Sequence, residues 1–383
     1  MTPPAADPLL ARLIRWCEQT SGTSDLAGLT AMADLLLAEF SLLGGAWEHV
    51  PVAGGRHVVK GSIRPHAPFR VLLTGHYDTV YDAAHPFKRC DIPPGFPDRL
   101  RGPGVADMKG GLVVLHHALA VLEASPHRDQ LGWTVLLIPD EEIGSPGSAP
   151  VLAAAAPRHQ LGLVFETSPM PGHLVRARKG TGRFTFTVHG RSAHAGLAPQ
   201  DGRNAIVALA ALVPEIAALP AEFPGLLLNV GSIRGGGALN IVPDHADLGL
   251  NARIDRNADA APFLARLRAL AASVPARFGE GHRAELAGEF GRPALEITPE
   301  IETWFARWRA LAAARGLALD WVDVPGGSDG NNLVAAGLPC LDGLGPVGGA
   351  LHSPDEFIIA SSLRERADLA AAFLLGLAES RFG

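Results

Sequence analysis

The sequence predicts a mixed-sheet α/β catalytic domain carrying an inserted ferredoxin-like β-α-β-β-α-β domain. Three observations predict it. Short apolar runs alternate with helical periodicity in the first part of the chain, the pattern of a sheet with helices on both faces. From Gly182 the rhythm changes to strand, helix, strand, strand, helix, strand over roughly a hundred residues. A length of 383 residues exceeds one ordinary compact core. The implied boundaries are 1–178 with 292–383 for the catalytic domain, and 179–291 for the insertion.

The elements follow in order. Asp7 and Pro8 start a helix, a carboxylate cap followed by Pro at the first helical position. A second helical pattern runs from Leu26 to Leu43 and stops at Gly44-Gly45. Residues 47–52 and 57–63 read as strands joined by the turn Ala53-Gly54-Gly55. Phe69 to Leu73 is a short buried strand ending near His76. A loop from Arg101 to Gly111 precedes a helix over 112–123. Residues 133–138 and 161–165 are further strands, the first running into Asp140-Glu141-Glu142 and the second into Glu166. The insertion contributes strands over 182–189, 226–234, 245–256 and 284–290, and helices over 203–219 and 262–278, the latter capped by Asp259. After Pro293, Thr298-Pro299 opens a helix that Gly316 closes, 319–324 and 338–341 are strands, and Ser362 with Glu365 forms a capping box for the last helix.

Composition narrows the function classes. The chain is 47% hydrophobic and 19% charged, an ordinary globular composition. A net charge of -6 argues against nucleic-acid and anionic-membrane surfaces, so neither partner is expected. Met1 to Asp7 lacks a basic n-region, and Leu9 to Trp16 is broken by Arg12 and Arg15, which reads as a surface helix and no signal peptide. No apolar run reaches 18 residues. Cys17, Cys90 and Cys340 are scattered and form no CxxC pair, so neither a disulfide framework nor a thiolate metal site is expected. A cytoplasmic location fits these features.

The chemistry gathers at predicted strand ends. Three consecutive acids at the mouth of a buried strand repel one another and lose solvation, so positive charge should lie beside them. On those residues alone a solvated acidic loop is an equal alternative. The other polar residues at strand ends and loops are His76, Asp78, Asp107, Glu166 and His352. Two imidazoles, several carboxylates and no thiolate suit Zn²⁺, Co²⁺ or Mn²⁺. So many acids call for two divalent ions, bridged by a carboxylate. His116, His117, His49, His57, His66, His127 and His159 lie away from that rim and read as structural.

Gly75-His76-Tyr77-Asp78-Thr79-Val80, the Asp107-Met108-Lys109-Gly110 stretch, Asp140-Glu141-Glu142 and Ser192-Ala193-His194-Ala195-Gly196 resemble the M20 metallopeptidases. That family includes glutamate carboxypeptidase, acetylornithine deacetylase, succinyl-diaminopimelate desuccinylase and aminoacylase. The match runs in order over almost the whole chain. The stretch from Asp342 through His352-Ser353-Pro354-Asp355-Glu356 looks most like the glutamate carboxypeptidase branch.

The resemblance implies roles. His76 and Glu166 hold one metal, Glu142 and His352 the other, and Asp107 bridges them, with a cis peptide after it. Glu141 is the general base. Asp78 takes the other N–H of His76. His194 stabilises the oxyanion in the other subunit's site, and Asn240 and Arg253 bind the substrate carboxylate. Gly327 and Ser328, within Gly326–Gly330, belong to a substrate loop of the first domain. Arg178 and Lys179, near the hinge, stay unassigned. The insertion becomes a lid and dimerisation domain, through an edge strand near 226–232 and the 203–219 helix.

The expected activity is metal-dependent hydrolysis of an amide beside a free carboxylate, by a carboxypeptidase or dipeptidase with a glutamate-like preference. Zn²⁺ is the first expectation for the two ions per subunit. An N-acyl amino acid deacylase keeps the same chemistry on a different substrate. A binding protein that has lost catalysis is the alternative of another class, and the complete ligand set with Glu141 argues against it.

Overall fold

The computed structural model describes residues 7–381. The Pro- and Ala-rich stretch before Asp7 lies outside the described residues. The chain divides into two compact units, one made of the residues up to Ala177 with Ile297–Val324 and Ser328 onward, the other of Arg178–Glu296 with Pro325–Gly327.

The first unit is built on an eight-stranded mixed sheet. Its central strands Leu131–Ile138, Phe69–His76, Leu161–Val164 and Cys340–Asp342 run parallel to one another. Strands buried on both faces read as continuous apolar runs, and Val71, Leu72 and Leu73 are all fully buried. On one face the helices Pro8–Glu18, Leu26–Ser41, Lys109–Glu123 and Ala360–Ala378 build the core around Trp16, Phe40, Leu115, Trp133 and Phe373. Each such buried side chain contributes about 1.5–3 kcal/mol.

A small second sheet was not foreseen. It joins Arg99–Arg101, Phe357–Ile359, Val347–Gly349 and Ser168–Pro169. Val347–Gly349 and Phe357–Ile359 pair antiparallel, so His352 lies in the turn between them. The strands are only two or three residues long, too short to show a period.

In the second unit, four antiparallel strands lie in the order Leu227–Gly235, His245–Ile254, Gly180–His189, Arg283–Arg292. The helices Ala205–Ala218 and Ala260–Phe278 share one core with them, formed by Phe184, Phe186, Val188, Leu248, Leu250, Leu212, Phe263 and Leu267. In chain order this is strand, helix, strand, strand, helix, strand.

Several boundaries differ from expectation. The helix expected over 112–123 begins at Lys109, directly after the Asp107 loop. The last helix begins at Ala360, and Ser362 lies inside it without capping it; its hydroxyl accepts Val347 N–H at 2.9 Å and donates to the Ile359 carbonyl at 2.6 Å. The Asp259 side chain makes no cap hydrogen bond. Residues read as the end of a substrate loop form the start of a helix, Asp329–Ala335. Among the described residues, no helix is long and apolar enough to cross a membrane, and the three cysteines are free.

Candidate metal centre

Three neighbouring parallel strands end at one rim. Phe69–His76 ends in His76, Leu131–Ile138 runs into Glu141 and Glu142, and Leu161–Val164 runs into Glu166. Parallel strands point their carboxyl ends the same way, so residues just past them gather. Asp107 arrives from the loop that opens the helix Lys109–Glu123. A Cβ on Gly111 would meet the Phe165 carbonyl oxygen at 1.7 Å. Glycine there lets the helix seat against the strand end beside Glu166. The Asp107–Met108 peptide is cis. His352 has φ 60°, the sparsely populated left-handed region. Such backbone recurs where a side chain must be aimed.

Asp107 stands between two pairs of side chains. Its Oδ1 lies 3.0 Å from His76 Nε2 and its Oδ2 lies 3.2 Å from His352 Nε2. His76 Nε2 is 3.7 Å from Glu166 Oε1, and His352 Nε2 is 3.1 Å from Glu142 Oε2. Ligand atoms of His76, Asp107 and Glu142 all lie within 4.8 Å of one another.

The electrostatics match a cation site. Burial opposes charge on His76, yet the hydrogen bonds to Asp107 and Asp78 hold its pKa well above the usual imidazole value. His352 is raised to about 10, chiefly by Asp107 and then by Glu142. Burial would raise the Asp107 pKa, but the two imidazoles hold it well below the usual carboxylate range. Burial pushes Glu142 up to about 7, and the neighbouring Asp107 charge adds to this against the His352 hydrogen bond. Protons on the imidazoles thus balance the carboxylates. Divalent cations coordinated by the same Nε2 atoms displace those protons. Two nitrogens and three carboxylates, mostly buried and facing one another, fit Zn²⁺ and its neighbours.

Supporting residues hold the ligands in place. Asp78 is fully buried. His76 Nδ1 lies 3.0 Å from the Asp78 carbonyl oxygen and 3.3 Å from its Oδ1. The same carboxylate accepts the backbone N–H groups of Glu141 and Glu142 at 3.1 and 3.2 Å, and the Thr23 hydroxyl at 2.8 Å. Asp140 is fully buried and accepts Gly147 N–H at 2.7 Å and the Ser148 hydroxyl, so the first of the three acids pins the loop after the strand. Burial pushes Glu356 up to about 7, against hydrogen bonds from backbone N–H groups of the Asp107 loop.

The first unit therefore brings together His76, Asp107, Glu142, Glu166 and His352, with buried Glu141 and Asp78 beside them. His194, Asn240 and Arg253 belong to the second unit, and so does Gly327, which was expected in the first. There, Ala195 N–H donates to the Asn240 carbonyl at 2.9 Å, which sets His194 beside Asn240. His194 Nδ1 accepts the N–H groups of Gly196 and Leu197, both at 3.1 Å. In a neutral ring Nε2 then carries the proton. Arg253 donates to the Pro325 carbonyl at 2.7 Å and pairs with no carboxylate among the described residues.

Ser328 departs from its expected place. It is fully buried and caps the helix Asp329–Ala335. Its hydroxyl accepts Gly330 N–H at 3.0 Å and donates to Asp342 Oδ2 at 2.6 Å. That hydroxyl is committed within the fold, which argues against a substrate contact by the side chain. Thr23 and Glu356 escaped the sequence reading. Thr23 carries no motif, whereas Glu356 stands four residues after His352 in a stretch already singled out.

The profile described as Peptidase family M20/M25/M40 matches residues 72–376. Carboxypeptidase G2 of Pseudomonas sp. (strain RS-16) is 30% identical over 373 residues, covering 93% of this chain and 86% of that protein. Succinyl-diaminopimelate desuccinylase of Burkholderia multivorans is 28% identical over 307 residues, covering 75% of this chain and 78% of that protein. The crystal structure of the M20 family metallo-carboxypeptidase Sso-CP2 from Sulfolobus solfataricus shares the mixed α/β fold, with a TM-score of 0.76 at 18% identity, over 97% of this chain and 100% of that one. The chain is a hydrolytic enzyme and belongs to peptidase family M20/M25/M40.

Proposed function

We propose that the enzyme is a di-metal hydrolase cleaving an amide bond next to a free carboxylate, as a carboxypeptidase or dipeptidase whose first candidate substrates carry a C-terminal glutamate-like residue. One observation carries this reading: the two oxygens of Asp107 are addressed to two separate imidazoles, each with its own glutamate. His76, Glu166 and Asp107 would hold one ion, and His352, Glu142 and Asp107 the other. Zn²⁺ is the first choice, and the same donors accept Co²⁺ and Mn²⁺.

When bound, such ions polarise the scissile carbonyl and lower the pKa of water toward about 7. Glu141 takes the proton of the attacking water and returns it to the leaving amine. Asp78 fixes the His76 ring and, through two backbone N–H groups, the Glu141–Glu142 turn. The Nε2–H of His194, acting on the partner subunit's substrate, donates to the developing oxyanion. Arg253 and Asn240 receive the substrate carboxylate, a planar guanidinium suiting it bidentately. The Gly327 backbone allows close approach. The pairing surface is the edge strand Leu227–Gly235, which exposes Leu227 at 49% and Ile233 at 56%, together with Val207 at 61% on the adjacent helix. Exposed strand edges with apolar side chains favour pairing with a second copy, so a homodimer through the second unit is proposed.

An N-acyl amino acid deacylase is the second reading, favoured by the similarity to the desuccinylase. Both substrate classes present an acyl group, an amide and a carboxylate. A panel of dipeptides against N-acetyl and N-succinyl amino acids, on Zn²⁺-loaded protein, separates them. Dipeptides with a C-terminal acidic residue should give the highest kcat/KM; a preference for acyl amino acids would replace the peptidase reading with the deacylase one.

A further inference from the structure

Three backbone N–H groups of the loop before Lys109 converge on one carboxylate. Glu356 is fully buried. Its Oε1 accepts from Ala106 N at 2.9 Å and from Asp107 N at 3.0 Å, and its Oε2 accepts from Gly104 N at 3.2 Å. The Glu356 carbonyl accepts a fourth, from Gly102 N, at 3.2 Å. Buried backbone donors need partners, and hydrogen bonds to a carboxylate are roughly twice as strong as neutral ones. The loop therefore takes its shape from a side chain remote in sequence.

That side chain belongs to the turn that carries His352. The same turn is also held by the Tyr81 hydroxyl, which donates to the Ser353 carbonyl at 2.7 Å. Tyr81 follows the His76–Asp78 segment. Three ligand-bearing segments, 76–81, 104–107 and 352–356, are thus tied at one place.

We infer that Glu356 is a positioning residue for the metal centre: it fixes Asp107 relative to His352, and so would set the affinity for an ion that Asp107, Glu142 and His352 would hold. The inference rests on the metallohydrolase reading above. Glu356 is not one of the five candidate ligands, and its carboxylate is engaged by backbone N–H groups. Its effect passes through the backbone at Asp107, whose Oδ2 must stay on the His352 side while Oδ1 stays on the His76 side.

The test is Glu356→Gln, with Glu356→Ala beside it. Glutamine keeps the volume and one acceptor oxygen for two of the N–H groups. Its NH₂, placed against Gly104 N–H, sets donor against donor. Zn²⁺ affinity is measured by competition with a chromophoric chelator, stoichiometry by elemental analysis, and folding by denaturant titration of the ion-free protein. The expected result is one ion bound about 10–100-fold more weakly, with Glu356→Ala weaker still. At limiting Zn²⁺, kcat should fall while KM stays within about two-fold. The Co²⁺-substituted protein should show altered absorption bands.

Glu356→Gln that binds both ions as tightly as the wild type would overturn the inference alone. So would its failure to fold, which would make Glu356 a determinant of the whole fold. A wild-type protein that retains no divalent ion would overturn the metallohydrolase reading, and this inference with it.

Discussion

Glu141 and Glu142 are chain neighbours with different surroundings. Glu142 pairs with His352 at 3.1 Å, while Glu141 is buried beside the cluster with its N–H on Asp78. Glu141→Gln should lower kcat by about 10²–10⁴-fold with both ions retained by elemental analysis; unchanged turnover would assign the base elsewhere. The grouping of the proposed ligands His76, Asp107, Glu142, Glu166 and His352 was legible because each stands at a strand end or in a motif of fixed order. Thr23 and Glu356 were less so. Their roles depend on contacts across 55 and about 250 residues of chain, which no local pattern encodes. Ser328 was legible only as part of a Gly-rich stretch. Its Gly-rich surroundings suggested backbone close to a ligand, but a serine before Asp329-Gly330-Asn331 also suits a helix start, and the fold uses it so.

Among the elements, the long periodic segments matched their reading, whereas the short ones did so only in part: the strands Leu161–Val164 and Trp321–Val324 were expected and the small second sheet was not. The parallel strands and the main helices were legible from apolar runs and 3.6-residue periodicity. The small sheet that gathers the Arg99, Ser168 and His352 regions was not, because pairing between two- and three-residue strands is decided by tertiary packing. Ser328→Ala should cost about 1 kcal/mol of stability by denaturant titration and leave KM unchanged; a rise in KM with unaltered stability would favour the substrate-loop assignment. Ile233→Glu places a charge on the exposed edge strand, and light scattering should report a monomer. That monomer should lose most activity if His194 serves the partner's site. A fully active monomer would refute that role.

For the whole molecule, pH and metal are linked through the same groups. In ion-free protein the His352 pKa is raised to about 10 from 6.5, so its stabilising contribution is complete below 6.5 and is lost as pH rises through about 10. Glu142, raised to about 7 from 4.5, acts in the same direction between those values. The folded form holds protons that the unfolded chain releases, so ion-free stability falls with rising pH. Burial lowers His116 to about 4, and its opposing effect is confined to pH below 6.5. Bound ions displace the site's protons, so the gain in thermal midpoint on adding equimolar Zn²⁺ should grow from about pH 6.5 to about pH 8.5, as read by scanning fluorimetry. A gain that shrinks over that range would contradict the assignment of the imidazoles as ligands.

The most direct test of the central claim is amide hydrolysis followed through metal removal. Turnover of a carboxylate-bearing dipeptide and an N-acyl amino acid is measured on purified protein, after exhaustive chelation, and after return of Zn²⁺ or Co²⁺, with metal content determined at each stage. Chelated protein should lose nearly all activity, and two equivalents of ion per chain should restore it. Undiminished hydrolysis by protein free of metal would contradict the account.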